Sequence, residues 1–145
     1  MVVPDAVYEE AVIRGEERGF SDAIVIKSFI NGHKTRIVNT KSNYIRILRK
    51  RVNKVLAKGD EAVLSVALQE KAKEIMADDD GLGKIAMAMG FSVMASPDLL
   101  MEGLKRGVLN FVDLEAFMKG LVIENRLSPA TAEFYIVEGR RNVEE

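Results

Sequence analysis

Ile75-Met76-Ala77-Asp78-Asp79-Asp80-Gly81-Leu82-Gly83-Lys84-Ile85-Ala86-Met87-Ala88-Met89-Gly90 is the stretch whose reading decides the fold. A short apolar run leads into three consecutive aspartates. Helix-compatible residues then resume, with Ile85, Ala86 and Met89 at helical spacing, and Gly90 stands where a helix would stop. The pattern predicts a strand, an acidic loop and a helix. In an open α/β sheet, ligands bind outside the carboxyl ends of the strands. The aspartates therefore fall where that fold class places its chemistry.

Adjacent carboxylates are costly to hold close. Two like charges about 4 Å apart repel by roughly 4 kcal/mol at an effective dielectric of 20. Solvent, a raised pKa or a bound cation must relieve that repulsion. A solvated loop whose Asp80 caps the following helix is the competing reading. Two other motifs fail on inspection. A calcium loop with Gly81 at its turn would need an acid where Met76 stands and a glutamate where Met87 stands. A phosphate loop ending at Gly83-Lys84 would need glycine in place of Asp78 and Ser or Thr in place of Ile85.

Composition narrows the classes. The chain has 145 residues, 48% hydrophobic and 30% charged, which suits one globular domain over residues 1–145. A net charge of −1 gives no global pull toward nucleic acid or membrane, so any such partner must meet a local patch. The absence of cysteine excludes disulfides and thiolate metal sites. With one histidine, His33, a histidine-rich zinc site is excluded as well. No apolar run approaches the ~20 residues of a membrane span, and no signal peptide is visible. The expectation is a soluble cytoplasmic protein with no membrane partner.

Working outward, Met1-Val2-Val3-Pro4 reads as the end of a buried strand, with Pro4 opening a helix. Val7, Ala11 and Val12 give that helix its apolar side, Glu9, Glu10, Glu16 and Glu17 line it, and Gly15 and Gly19 are expected to end it. Ser21-Asp22 is expected to cap a second helix carrying Ala23, Ile24, Ile26, Phe29 and Ile30, closed by Asn31-Gly32. Thr35 to Asn39 is a short strand, preceded by His33 in a surface turn.

Residues 41–58 carry Lys41, Arg46, Arg49, Lys50, Arg51, Lys54 and Lys58 without one acid. At about 3.6 residues per turn, Arg46, Lys50, Lys54 and Lys58 form a stripe opposite Ile45, Leu48, Val52, Val55 and Leu56. This predicts one amphipathic helix with a basic face. The face is either ordinary solvated surface or a track for phosphates through Arg46, Lys50 and Lys54.

Gly59-Asp60-Glu61-Ala62 opens the next helix, with Asp60 in its first turn and Val63, Val66 and Ala67 inward. Beyond Gly90, Phe91 to Ala95 reads as a buried strand, and Ser96-Pro97-Asp98 opens a helix stopped by Gly107. Asp113 and Ser128 open two final helices, which bury Leu114, Phe117, Met118 and Leu121, then Ala132, Phe134, Tyr135 and Ile136. Strands alternating with helices imply a parallel α/β sheet.

The order of these motifs resembles the PIN-domain family. The resembling features are Pro4, Val7 and Glu10 at the start, Gly59-Asp60 at a helix start, and Asp78-Asp79 at a strand end. Ala86, Gly90, Phe91 to Ser96 and the Leu100 to Leu109 run with Lys105-Arg106-Gly107 follow. The similarity runs from Val2 to about Gly139, in the branch of VapC-type toxins. It implies a three-layer α/β/α PIN-like fold and a Mg²⁺- or Mn²⁺-dependent ribonuclease, the toxin of a toxin–antitoxin pair, with RNA and an antitoxin protein as partners. Carried over by position, Glu10, Asp60 and Asp78 are the metal-holding acids and Asp60 and Asp78 the catalytic ones. Asp79 stands beside the metal group, and Ser96 matches a small hydroxyl near it.

The chain departs from the family in three places. It lacks the strand that carries the family's first metal-binding aspartate, and the helix after it, ahead of the segment matching Val2-Val3-Pro4. Asp60 replaces the usual glutamate, and Gly83 stands where the family tends to have arginine. The expectation is thus an N-terminally truncated fold with a short parallel sheet. A second chain is expected to cover the gap, giving a homodimer or higher oligomer. Met76, Met87, Met89, Met94 and Met101 serve either that repacked surface or the core. A catalytically inactive PIN-derived binding or assembly module is the alternative function.

Overall fold

Val2–Pro4 (β1) runs parallel to Arg36–Val38 (β2), with Val2 opposite Arg36, Val3 opposite Ile37 and Pro4 opposite Val38. The computed structural model describes all 145 residues. Proline has no N–H to give a ladder, and Pro4 stands at the strand's last position, where it also serves as N-cap of the next helix. Helix then continues through α1 (Asp5–Tyr8), a π-helical turn (Glu9–Ile13) and α2 (Arg14–Glu17). Gly15 does not end this helix. It is buried inside α2, where a Cβ would come within 2.7 Å of the Ala23 Cβ, so only glycine fits this close approach. Gly19, at φ +75°, makes the stop.

The chain divides into two compact units, Met1–Ile75 with Lys84–Ser92, and Met76–Gly83 with Val93–Glu145. In the first unit, α3 (Ser21–Gly32) has Phe20 as its N-cap, and no side chain caps it. Ser21 therefore does not play the capping role its sequence suggests. Ala23 and Ile30 are buried, whereas Ile24, Val25 and Phe29 are exposed.

α4 (Ser42–Arg51) is shorter than its charge pattern predicts. Val52 leaves the helical region at φ −103° and ψ 112°, and the chain re-enters helix only at Lys58, the first residue of α5 (Lys58–Gln69). Val52, Asn53 and Val55 are weaker helix formers. Val52 and Leu56 turn partly inward along this connection. The predicted stripe of cations therefore breaks after Lys50: Lys54 lies in a loop and Lys58 belongs to the next helix. In α5, Ala62, Leu64, Ser65, Val66 and Ala67 are buried, and Asp60 and Glu61 stand in the favourable first turn.

β3 (Glu74–Met76) and β4 (Ser92–Met94) form a second two-stranded sheet, separate from β1 and β2. Ser92 N–H donates to the Lys73 carbonyl at 3.0 Å and Ala77 N–H to the Met94 carbonyl at 3.1 Å. Both strands therefore ascend together and the pair is parallel. Between them runs α6 (Asp80–Ala88), so strand, acidic loop and helix follow one another as predicted. β4 is less buried than its apolar residues suggest, with Ser92 exposed and Val93 and Met94 half-buried.

In the second unit, α7 (Ser96–Lys105), α8 (Phe111–Ile123) and α9 (Pro129–Glu144) enclose Met101, Leu104, Leu114, Met118, Ala132 and Ile136. Gly139 lets α9 lie against this core, since a Cβ there would collide with the Leu114 side chain. Asn110, rather than Asp113, is the N-cap of α8. Its side chain accepts the Asp113 N–H at 2.9 Å, and the Asp113 carboxylate accepts the Asn110 N–H at 3.3 Å. Ser128 caps α9 as expected, accepting the Thr131 N–H at 3.1 Å. Phe117 and Phe134 lie outside the core, exposed. The architecture is α/β with short parallel sheets, and no helix is long and apolar enough to cross a membrane.

Candidate functional site

Glu10 lies in the π-helical turn, where an extra residue per turn changes the direction of the side chains. Such turns recur at functional sites. Its neighbour Glu9 is paired with Arg14 at 3.1 Å and with Lys58 at 3.4 Å. Hydrogen bonds from Lys58 and then Arg14 hold the Glu9 carboxyl below the usual range. Glu10 itself reaches the start of α5. Its Oε2 lies 3.3 Å from where a Cβ on Gly59 would stand. A side chain at position 59 would crowd that carboxylate, which gives a physical reason for the glycine before Asp60. The N-cap residue Ala57 offers no capping side chain, and Glu10 stands at the positive end of this helix. Residues far apart in sequence, Glu10 and Gly59-Asp60, are thus brought together.

In the second unit the three aspartates have different fates. Asp78 accepts the Ser96 backbone N–H on Oδ1 and the Ser96 hydroxyl on Oδ2, each at 2.6 Å. Asp79 accepts the Leu82 N–H at 2.7 Å, so Asp79 rather than Asp80 caps α6. Asp80 is the first residue of that helix. Gly83 is buried, and a Cβ there would stand 3.7 Å from Val93 Cγ1.

A further acid, Asp98, has a partner that its place at a helix start does not reveal. Asp98 accepts the Tyr135 hydroxyl at 2.7 Å and the Ala95 N–H at 3.0 Å. Burial, and then the nearby Asp98 carboxylate, push the Tyr135 hydroxyl up to about 12. The only available signal was Asp98 at the third position of a predicted helix. The partner on α9 could not be read from spacing.

Arg46 and Lys50 are exposed on α4, and Lys54 is exposed on the connection that follows. Arg49 is engaged: its Nε and an η nitrogen donate to the two Glu61 carboxylate oxygens at 2.8 and 2.9 Å. Between the end of α4 and the start of α5 lies a cleft of about 760 Å³, lined by Leu48, Arg49, Val52, Lys54, Val55 and Lys58 among others.

No group of three or more His, Cys, Asp or Glu residues comes together to hold a metal ion. The oxygen donors that are present nevertheless suit a hard cation. Mg²⁺ is usually held by one or two carboxylates, keeping its waters and a substrate phosphate as further ligands. Glu10 beside Gly59-Asp60 offers carboxylates of that kind. His33 is a surface residue, stacked on Phe29 at 4.1 Å, with its Nδ1 2.8 Å from the Phe29 carbonyl oxygen.

A family model described as PIN domain matches residues 1–133. That span takes in Glu10, Asp60, Asp78, Asp79 and Ser96. No curated protein and no solved structure matches the chain.

Proposed function

The chain belongs to the PIN-domain family, whose members point to nuclease-type chemistry on RNA, and on that premise we propose that it is a Mg²⁺- or Mn²⁺-dependent endoribonuclease, the toxin of a toxin–antitoxin pair. The observation that carries this reading is the delivery of Glu10, on its π-helical turn, to the first turn of α5 beside Asp60. Glu10 and Asp60 would hold the metal. Asp78, with Asp79 and Ser96, is the second acidic group, and the family resemblance assigns it the same task. A metal bound by such acids supplies a water of lowered pKa and neutralises charge on the phosphate being cut. Ser96 fixes the Asp78 carboxylate through both oxygens, so that group is oriented in advance. Arg46, Lys50 and Lys54 would draw in the phosphate backbone without regard to sequence. Exposed Phe20, Ile24, Val25 and Phe29 offer apolar surface that an antitoxin or a second copy would cover.

The test is incubation of single-stranded RNA with the purified chain in Mn²⁺, Mg²⁺ or EDTA. Metal-dependent internal cuts, lost in Asp60→Asn and in Asp78→Asn, support the reading, and no cut with either metal refutes it. One observation favours a second reading, a non-catalytic binding or assembly module derived from this family: no three metal-holding residues come together. In that case RNA binds without being cut.

A further inference from the structure

We propose that the cleft between the end of α4 and the start of α5 is a nucleobase pocket, in which one unstacked base of single-stranded RNA lies on the guanidinium plane of Arg49. The inference rests on the RNA reading above and adds to it a site that reads the base rather than the phosphate.

Arg49 is the centre of the argument. Its two hydrogen bonds to Glu61 form a fork that fixes the plane of the guanidinium. Glu61 is the anchored partner, with a side chain only 19% exposed against 67% for Arg49. Glu61 takes two of the five N–H donors, which holds the plane still while its face stays open, and unstacked bases are held on arginine planes in this way.

The surroundings suit a base. The volume of about 760 Å³ lies within the usual range of small-ligand sites. Leu48, Val52 and Leu56 supply apolar lining. Asn53 adds an amide that offers both a donor and an acceptor to a base edge. Val55 is 96% exposed, an apolar side chain held in water on a loop between Lys54 and Lys58. A base entering the cleft would cover it, and the two lysines would meet the flanking phosphates. Lys58 opens α5 two residues before Asp60, with Glu10 against the intervening Gly59. The cleft therefore adjoins the acids proposed to act on the backbone.

The probe is a short single-stranded RNA carrying a fluorescent purine, compared with the same RNA abasic at that position. Both are titrated in EDTA, where metal-dependent cleavage cannot occur. The unmutated chain is expected to bind the base-containing RNA about tenfold more tightly and to quench the purine. Arg49→Lys keeps the charge but loses the plane. It is expected to abolish the tenfold difference and the quench while leaving abasic binding unchanged. Val55→Ser changes a residue that packs on nothing. It carries the test if Arg49→Lys fails to fold, and is expected to reduce the difference about threefold. Equal affinity for the two RNAs, or a difference unaltered in both variants, overturns the pocket. Metal-dependent cleavage without base-dependent binding removes the pocket and leaves the nuclease. Base-dependent binding without cleavage in Mn²⁺ removes the nuclease and keeps the pocket.

Discussion

Ser96 donates twice to one carboxylate: its backbone N–H to Asp78 Oδ1 and its hydroxyl to Asp78 Oδ2, both at 2.6 Å. The pair ties the loop after β3 to the first residue of α7, which follows β4. Ser96 thus links the ends of two adjacent strands and holds the plane of the acid at their tip.

Ser96→Ala removes the hydroxyl and leaves the N–H. Because the pair is exposed, the expected cost falls below the range of charge-assisted hydrogen bonds, to that of an ordinary one, about 1 kcal/mol. Urea denaturation should show a lower midpoint with the slope unchanged. An unmoved midpoint would show that the hydroxyl contributes nothing to stability.

Mn²⁺ should raise the melting temperature by mass action. Free metal at a hundred times Kd stabilises a site by about 2.7 kcal/mol. Glu10→Gln and Asp60→Asn, made one at a time, are each expected to lose the rise. A full rise in both would place the metal away from these two acids.

Two glycine substitutions should have opposite signs. Gly139→Ala drives a Cβ into Leu114 and is expected to cost about 1–3 kcal/mol through overpacking. Gly120, inside α8, meets nothing within 4 Å of an added Cβ. Gly120→Ala should therefore stabilise by roughly 0.5–1 kcal/mol. Thermal melts that moved both variants the same way would contradict the packing of α9 against α8.

Tyr135 should make stability fall at high pH. Its folded pKa, about 12, lies above the ordinary tyrosine value of 10.0. Between those values the unfolded chain has lost the proton and the folded chain keeps it, so unfolding releases a proton and raising the pH favours it. The contribution is complete below the unfolded pKa and is lost as pH rises through the folded one. Tyr135→Phe should flatten this part of the profile, as followed by denaturation midpoints across the range.

Charge reversal at Arg46 and Lys50 should weaken RNA binding equally for all sequences, and each should reduce the salt slope by about one. A sequence-dependent loss would mean that these residues reach bases. RNA binding unaltered by both would leave α4 an ordinary solvated face.

Element order was legible because it rests on local patterns. The run from Glu74 to Gly90 announced strand, acidic loop and helix through apolar residues, aspartates and a terminal glycine. Ser128 announced a helix start, and the last helices were visible from their apolar residues. Gly15 is ambiguous in sequence because a buried glycine packing against Ala23 and a glycine ending a helix look alike there. The helix expected over 41–58 ends earlier because the periodic row of charges continues beyond the point where Val52 turns out of the helix. Of the candidate site, the acids at positions 10, 60 and 78 could be named, but their surroundings could not.

By itself the sequence determined residue type, local period and the family pattern, and with these the α/β class and the absence of thiol chemistry. The tertiary structure decided what each group meets. It assigned the cap of α6 to Asp79, gave both oxygens of Asp78 to Ser96, set Glu10 against Gly59 and turned the Arg49 edge toward Glu61. The physical reason is range. Helix period and capping preference act within a turn or two, whereas hydrogen bonds and close packing between distant segments form only once the backbone has brought them together.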